Sequence, residues 1–161
     1  MMGSEAEERR MRDRANWLVW AQFLLLALLV LWPGERMWGA PWVTAVAVVL
    51  GVAGVALAGA GIAALGRDLV PWVAPKPGAP LRTAGIYRFT RNPIYLGILV
   101  AAAGWVLWRG RVELLVVWLL LAIVLVVKAH AEQRRLIDAY GDEYREYAAR
   151  TPLILWGRGI R

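Results

Sequence analysis

An all-α, polytopic membrane fold with about four transmembrane helices is predicted by three features of the chain. Hydrophobic residues make up 60% of it and collect in four long runs. Prolines, glycines and charges punctuate the gaps between those runs. Arginines sit mainly at the ends of the apolar runs, so membrane topology accounts for the net charge of +7 and no nucleic-acid partner is needed. A length of 161 residues suits one domain. The sequence has no cysteine, which excludes disulfides, thiolate nucleophiles and cysteine metal sites. Its one histidine, His130, rules out a histidine-rich metal centre, so no metal is expected.

Residues 1–14 mix Glu5, Glu7, Glu8 and Asp13 with Arg9, Arg10, Arg12 and Arg14 and predict a solvated, helix-prone tail without chemistry. The first span covers about residues 16–32 and ends at Pro33-Gly34. The segment after it lacks a small-x-small cleavage site, so this helix is expected to stay uncleaved. The second span, about residues 42–65, is long enough at ~1.5 Å per residue to cross a bilayer with some tilt. Small residues recur four apart at Ala47 and Gly51, Gly54 and Ala58, and Gly59 and Ala63, the spacing that lets two helix backbones approach closely. Gly59-Ala60-Gly61 is assigned to that packing and not to a cofactor loop.

Residues 66–92 break the pattern. Pro71, Pro75, Pro77 and Pro80 forbid a regular helix interior, and Arg67, Lys76, Arg82, Arg88 and Arg91 stand against Asp68 alone. The apolar and aromatic residues Leu69, Val70, Trp72, Leu81, Ile86, Tyr87 and Phe89 predict a packed, functional loop. Pro93 suits the first turn of a third span at about 93–108. A tight turn at Arg109-Gly110-Arg111 leads to the fourth span, about 112–130, which runs on through Lys128, His130 and Glu132 without a breaker. C-terminal helices are expected over 131–150, with Gly141 as a left-handed stop and Asp142 as a cap for a short helix carrying Tyr144 and Tyr147. With four spans, both termini and the 66–92 loop share one face. That face holds most of the Lys and Arg and is expected to be cytosolic, in the cytoplasmic membrane of a prokaryote.

Lys128, Glu132, Leu136 and Tyr140 are four apart and lie along one helix face. A juxtamembrane amphipathic helix on lipid headgroups is the plainer reading. Against it, Lys128 and Glu132 stand near the membrane boundary on a packing face, where charge is costly and usually functional. Arginine anchors and an aromatic belt would likewise explain Arg88, Arg91, Tyr87 and Tyr95 one by one. They would not explain the fixed order of Gly85, Tyr87, Arg91, Pro93 and Tyr95.

That order, followed by Glu132 on a helix and then by Tyr140, Gly141, Tyr144 and Tyr147, resembles the isoprenylcysteine carboxyl methyltransferases, part of a wider group that includes phospholipid methyltransferases. The resemblance spans about residues 66–152. It implies an integral membrane enzyme that uses S-adenosylmethionine. By the same resemblance Tyr87, the turn Asn92-Pro93-Ile94-Tyr95 and Glu132 surround the cofactor, with Leu81 and Arg82 in its wall. Lys128 takes the place of a substrate-binding arginine, and Asn92 stands where those enzymes usually carry histidine. Lysine keeps the charge and loses the bidentate fork, so both departures bear on the substrate more than on the cofactor.

Methyl transfer from a sulfonium needs mainly in-line placement and exclusion of water when the nucleophile is already ionised. Lys128 or Arg91 would suffice to place a carboxylate, and Arg91 is the candidate catalytic cation. An amine or thiol would also need a base, for which His130 and Glu132 are the candidates; Glu132 is favoured for the cofactor. The expected partners are the lipid bilayer and a lipophilic or prenylated substrate entering from it. Two rivals stand beside this reading: an NADPH-dependent membrane reductase of the sterol reductase type, and a non-catalytic scaffold whose basic loop binds anionic lipid.

Overall fold

The computed structural model describes residues 2–66 and 80–155, all helix, turn and loop, with no strand among them. Five α-helices follow in order: α1 (Met2–Leu31), α2 (Pro41–Leu65), α3 (Pro93–Arg109), α4 (Glu113–Tyr140) and α5 (Asp142–Arg150), with a 3₁₀ turn at Gly85–Arg88 before α3. The tail at residues 2–14 continues into α1 as helix. Part of the expected loop, residues 67–79 with Arg67, Leu69, Val70, Trp72 and Lys76, lies outside the described residues.

Two of the described helices, α2 and α4, are long and apolar enough to cross a membrane. The apolar stretches of α1, Trp17–Leu31, and of α3 are shorter. The apolar part of α4 ends at Val127, and its last turns, from Lys128 to Tyr140, are polar.

Lipid tails are as apolar as leucine, so helices in a bilayer gain little from hydrophobicity alone and associate by close packing. The tightest packing here is between α2 and α3. A Cβ added at Gly54 would lie 2.3 Å from the Ala101 nitrogen. One at Gly97 would lie 2.5 Å from the Ala58 nitrogen, and one at Gly104 would lie 2.6 Å from the Ala47 carbonyl oxygen. The contact stripe on α2 is therefore Ala47, Gly51, Gly54, Ala58 and Gly61, with Gly61 packed on Ile94. Its steps alternate four and three and keep one face turned to a partner. The Gly59 and Ala63 pair, expected to share in this packing, does not: Gly59 has nothing within 4 Å of a built Cβ and both residues are exposed. On the far side of α2, Val48, Val49, Val52 and Val55 are exposed.

Helices α1, α3 and α4 enclose the main core, built on Leu29, Ala102, Val106, Leu114, Leu121 and Leu125. At the end away from the 80–92 loop, side chains donate to carbonyls at and just beyond the helix ends. The Trp105 indole donates to the Leu29 carbonyl at 2.7 Å, Arg109 to that of Trp32 at 2.5 Å, and Trp38 to that of Leu107 at 3.1 Å. Arg36 adds bonds from Nε and Nη2 to the Trp108 carbonyl while its guanidinium stacks on the Trp108 ring.

At the other end Gly141 turns the chain from α4 into α5 with φ 57° and ψ −126°, a conformation that side-chain-bearing residues rarely adopt. The expected cap is corrected here. Gly141 occupies the N-cap position, Asp142 is the first helical residue, and its carboxylate pairs with Arg145 at 3.0 Å. An acid there still favours the positive end of the helix dipole.

The α2–α3 contact makes a prediction by position. Gly54→Val lowers stability by about 1–3 kcal/mol or more through overpacking, read as a lower melting temperature in detergent. Gly59→Ala loses nothing and gains up to about 1 kcal/mol from helix propensity. Equal behaviour of the two variants would contradict the assigned stripe.

Candidate active site

The polar end of α4 meets the residues that lead into α3. Gly85 starts the 3₁₀ turn that carries Tyr87 inward, and Pro93, fully buried, occupies the first turn of α3, where its missing N–H is not needed. Between these two points the chain is clasped by the segment after α5. The Thr90 hydroxyl donates to the Leu153 carbonyl at 3.5 Å, the Arg91 backbone N–H to the Pro152 carbonyl at 3.0 Å, and the Asn92 side-chain amide to the Leu153 carbonyl at 2.9 Å. Asn92 stands at the N-cap position of α3, but its side chain makes no capping bond and instead ties two chain segments together.

Tyr95 stands one turn into α3 and is buried; its hydroxyl donates to Glu132 Oε1 on α4. The Tyr95 ring lies under the Lys128 ammonium, 5.0 Å from nitrogen to centroid. Lys128, only 5% exposed, donates to Gln22 Oε1 on α1 at 3.1 Å. Tyr87 closes the other side: its hydroxyl donates to the Gly61 carbonyl of α2 at 3.4 Å, and its own carbonyl accepts the Tyr147 hydroxyl of α5 at 2.5 Å. Each of the five helices therefore contributes to a cluster centred on Tyr95 and Glu132, α4 with both Lys128 and Glu132.

Electrostatics sharpen this centre. Burial pushes the Glu132 carboxyl up to about 7, although the Tyr95 hydroxyl, Lys128 and Arg135 all pull it down. Tyr87 is pushed up to about 12, first by burial and then by the Glu132 charge. Burial also raises Tyr144 and Tyr147, with Arg91 opposing in both. Glu132 spends Oε1 on Tyr95, yet a carboxylate has about four lone-pair sites. A partly buried acid with acceptor capacity to spare, between two tyrosines, suits a cationic ligand.

Most of the residues singled out in the sequence converge here: Tyr87, Asn92, Pro93, Ile94, Tyr95, Lys128 and Glu132. Leu81 packs on the neighbouring Tyr144, Tyr147 and Ala148 cluster, and Arg82 is exposed. Arg91 is 6% exposed and donates to Gln133 at 2.6 Å and to the Tyr144 hydroxyl at 3.4 Å, joining the loop to α4 and α5. His130 is exposed, and its Nδ1 donates back to the Val126 carbonyl of its own helix at 2.8 Å, so it is not placed to serve as a base. No group of three or more metal-ligating side chains occurs among the described residues. Two participants were missed by the sequence reading, Gln22 and Gln133. The available signal was an amide inside, or just beyond, an apolar run.

Comparison with known proteins places the chain in a family. The phospholipid methyltransferase family model matches residues 42–143. Methanethiol S-methyltransferase 1 of Bradyrhizobium diazoefficiens is 36% identical over 98 residues, which cover 60% of this chain and 31% of that protein. The cobalt-zinc-cadmium resistance protein CzcN of Cupriavidus metallidurans is 31% identical over 141 residues, 84% of this chain and 60% of that protein. A methanethiol S-methyltransferase of Pseudomonas deceptionensis is 29% identical over 84 residues, 50% of this chain and 31% of that protein. The chain thus spans about a third of the two methyltransferases and three fifths of CzcN. No solved structure matches it. The chain belongs to the phospholipid methyltransferase family.

The Arg91 joint carries its own test. Gln133→Leu removes the 2.6 Å acceptor of a buried guanidinium and is expected to lower stability by about 1–3 kcal/mol. Melting in detergent measures it, and a loss below about 0.5 kcal/mol would mean that Gln133 is not needed there.

Proposed function

Starting from membership of that family, we propose that the chain is an S-adenosylmethionine-dependent methyltransferase acting on a membrane-accessible nucleophile. The observation that carries the proposal is the half-buried Glu132, bonded to Tyr95, set against the Lys128 ammonium and flanked by Tyr87. When bound, S-adenosylmethionine supplies a methyl group activated by a sulfonium, and it presents cationic groups of the kind this carboxylate and these aromatic faces attract. In this reading Glu132, Tyr87, Tyr95 and the turn Asn92-Pro93-Ile94 hold the cofactor, and Leu81 and Arg82 form its outer wall.

Lys128 orients the acceptor, and Arg91 acts by holding the loop that carries Tyr87 onto α4. With His130 turned to the surface, the bundle offers little base strength, which favours an acceptor that arrives ionised. The protein's part in catalysis is then placement and exclusion of water. The methanethiol S-methyltransferase relatives favour a thiol among the possible acceptors. The reading is completed by a four-span topology, in which the shorter apolar stretches of α1 and α3 cross beside α2 and α4. The polar end of the bundle faces the cytosol, where the cofactor is made. The exposed valines of α2 meet lipid.

Glu132→Gln keeps the shape and removes the charge. It is expected to weaken S-adenosylmethionine binding at least tenfold, the order expected when a charge-assisted bond is lost, while melting stays near that of the wild type. Calorimetric titration of the detergent-purified protein reads both variants; equal affinity would sink the cofactor assignment.

A pH series adds the sign. The carboxyl is protonated below about 7, so affinity is expected to fall as pH drops from 8 to 6, approaching tenfold per unit at the acid end. Burial raises that midpoint, and the Tyr95 hydroxyl, Lys128 and Arg135, the groups that face the carboxylate, lower it. The Glu132→Gln variant should show no such dependence over the same window.

A further inference from the structure

Gln22 lies on α1, outside the residues that the family model matches, yet its side chain reaches the centre of the site. It is 7% exposed, within an otherwise apolar run. A buried amide at such a depth persists where it meets a partner. Its one hydrogen bond among the described residues is the 3.1 Å bond its Oε1 accepts from Lys128 Nζ.

The choice of glutamine is informative. A glutamate there would neutralise the ammonium; glutamine holds the ammonium and leaves its positive charge standing. Lys128 has three N–H donors and spends one on Gln22, while Tyr95 offers it only a ring face. The NH₂ of Gln22 adds two more donors. What the pair presents to a ligand is therefore donors only, with net positive charge, in a buried place where charge is weakly screened. The nearest negative charge, Glu132, sits one helical turn further along α4 and is engaged by Tyr95.

We propose that Gln22 is a positioning residue: by holding the Lys128 ammonium without neutralising it, Gln22 makes the acceptor site between α1 and α4 an anion-holding subsite, which takes a small acceptor bearing an apolar tail as a thiolate or a carboxylate and rejects cationic amines. This rests on the methyl-transfer reading and narrows its substrate class. The positive pair favours the ionised acceptor over its acid, and the proton leaves to water as the acceptor enters. The acceptor's sulfur or oxygen then forms the new bond to the methyl carbon as the carbon–sulfonium bond breaks. That bond's electron pair stays on the departing sulfur, so charge and atoms balance without a further reactant. Gln22 works by fixing where the ammonium stands and by supplying a second donor.

The test uses the full chain in detergent with S-adenosylmethionine and three acceptors of equal length: hexanethiol, hexanoate and hexylamine. KM and kcat for each acceptor, the Kd for S-adenosylmethionine and the melting temperature are compared among wild type, Gln22→Leu and Gln22→Glu. Turnover of the thiol or of the carboxylate identifies which anion the subsite takes, with hexylamine the poorest of the three. KM for the preferred anion is expected to rise about tenfold in Gln22→Leu, the scale of one charge-assisted hydrogen bond. It should rise further in Gln22→Glu, while Kd for S-adenosylmethionine stays within about twofold of wild type in both. A merely structural glutamine predicts the reverse order, since glutamate keeps a partner for the ammonium. Gln22→Glu also stands if Gln22→Leu fails to fold. Unchanged KM in Gln22→Glu, a preference for hexylamine, or turnover of neither anion by protein that binds S-adenosylmethionine overturns the subsite alone. Wild-type protein that binds no S-adenosylmethionine overturns both the subsite and the reading beneath it.

Discussion

Tyr95 is the point through which the polar interior of this bundle is connected. Its hydroxyl binds Glu132 and its ring carries the Lys128 ammonium, so one residue on α3 holds an acid and a base of α4 in place together. Isolated, either charge would be expensive in such surroundings. Linked through an aromatic ring and its hydroxyl, they stay close without collapsing onto one another as a simple ion pair. Each keeps bonding capacity for something else. That unspent capacity, more than any single side chain, is what separates the cluster from a fully paired structural plug.

The rest of the architecture can be understood as the means of bringing α3 to that position. The α2–α3 contact is tight enough that a methyl group at Gly54, Gly97 or Gly104 would strike backbone, which fixes the rotation and depth of α3. The same packing carries the Gly61 carbonyl to the Tyr87 hydroxyl. From the other direction, Thr90, Arg91 and Asn92 are bound to Pro152 and Leu153, so the segment after α5 pins the entry to α3. At the far end, arginine and tryptophan side chains close the helix termini on their carbonyls. Precision at the site and rigidity at the opposite pole thus come from different chemistry: close backbone approach in one case, hydrogen bonding to chain ends in the other.

Asn92 and Lys128, the two departures from the carboxyl methyltransferase pattern, acquire separate meanings. Asn92 uses its amide to bind the Leu153 carbonyl, a job that needs a donor of modest reach and no charge. Lys128 is held by a neutral amide from α1, which preserves its positive charge. One substitution serves the clasp of the loop. The other keeps a buried ammonium charged and joins α4 to α1.

Read by itself, the sequence determined the helical class, the order of the elements, the Pro93 start of α3, the Gly141 stop and most of the residues that gather around Tyr95 and Glu132. These are local matters: apolar run length, proline and glycine stereochemistry, and residues whose spacing puts them on one helix face. The three-dimensional arrangement decided the rest. Gln22 and Lys128 are 106 residues apart in sequence, and nothing local tells an amide in an apolar run which charge it will meet. Arg91 looked available from its basic neighbourhood, but its burial against Gln133 and Tyr144 depends on how α5 folds back. The helix stripe at α2 was legible as small residues, whereas the membership of Gly61 and the exclusion of Gly59 required the partner helix. Periodicity specifies a face; only packing against a second surface specifies what that face touches.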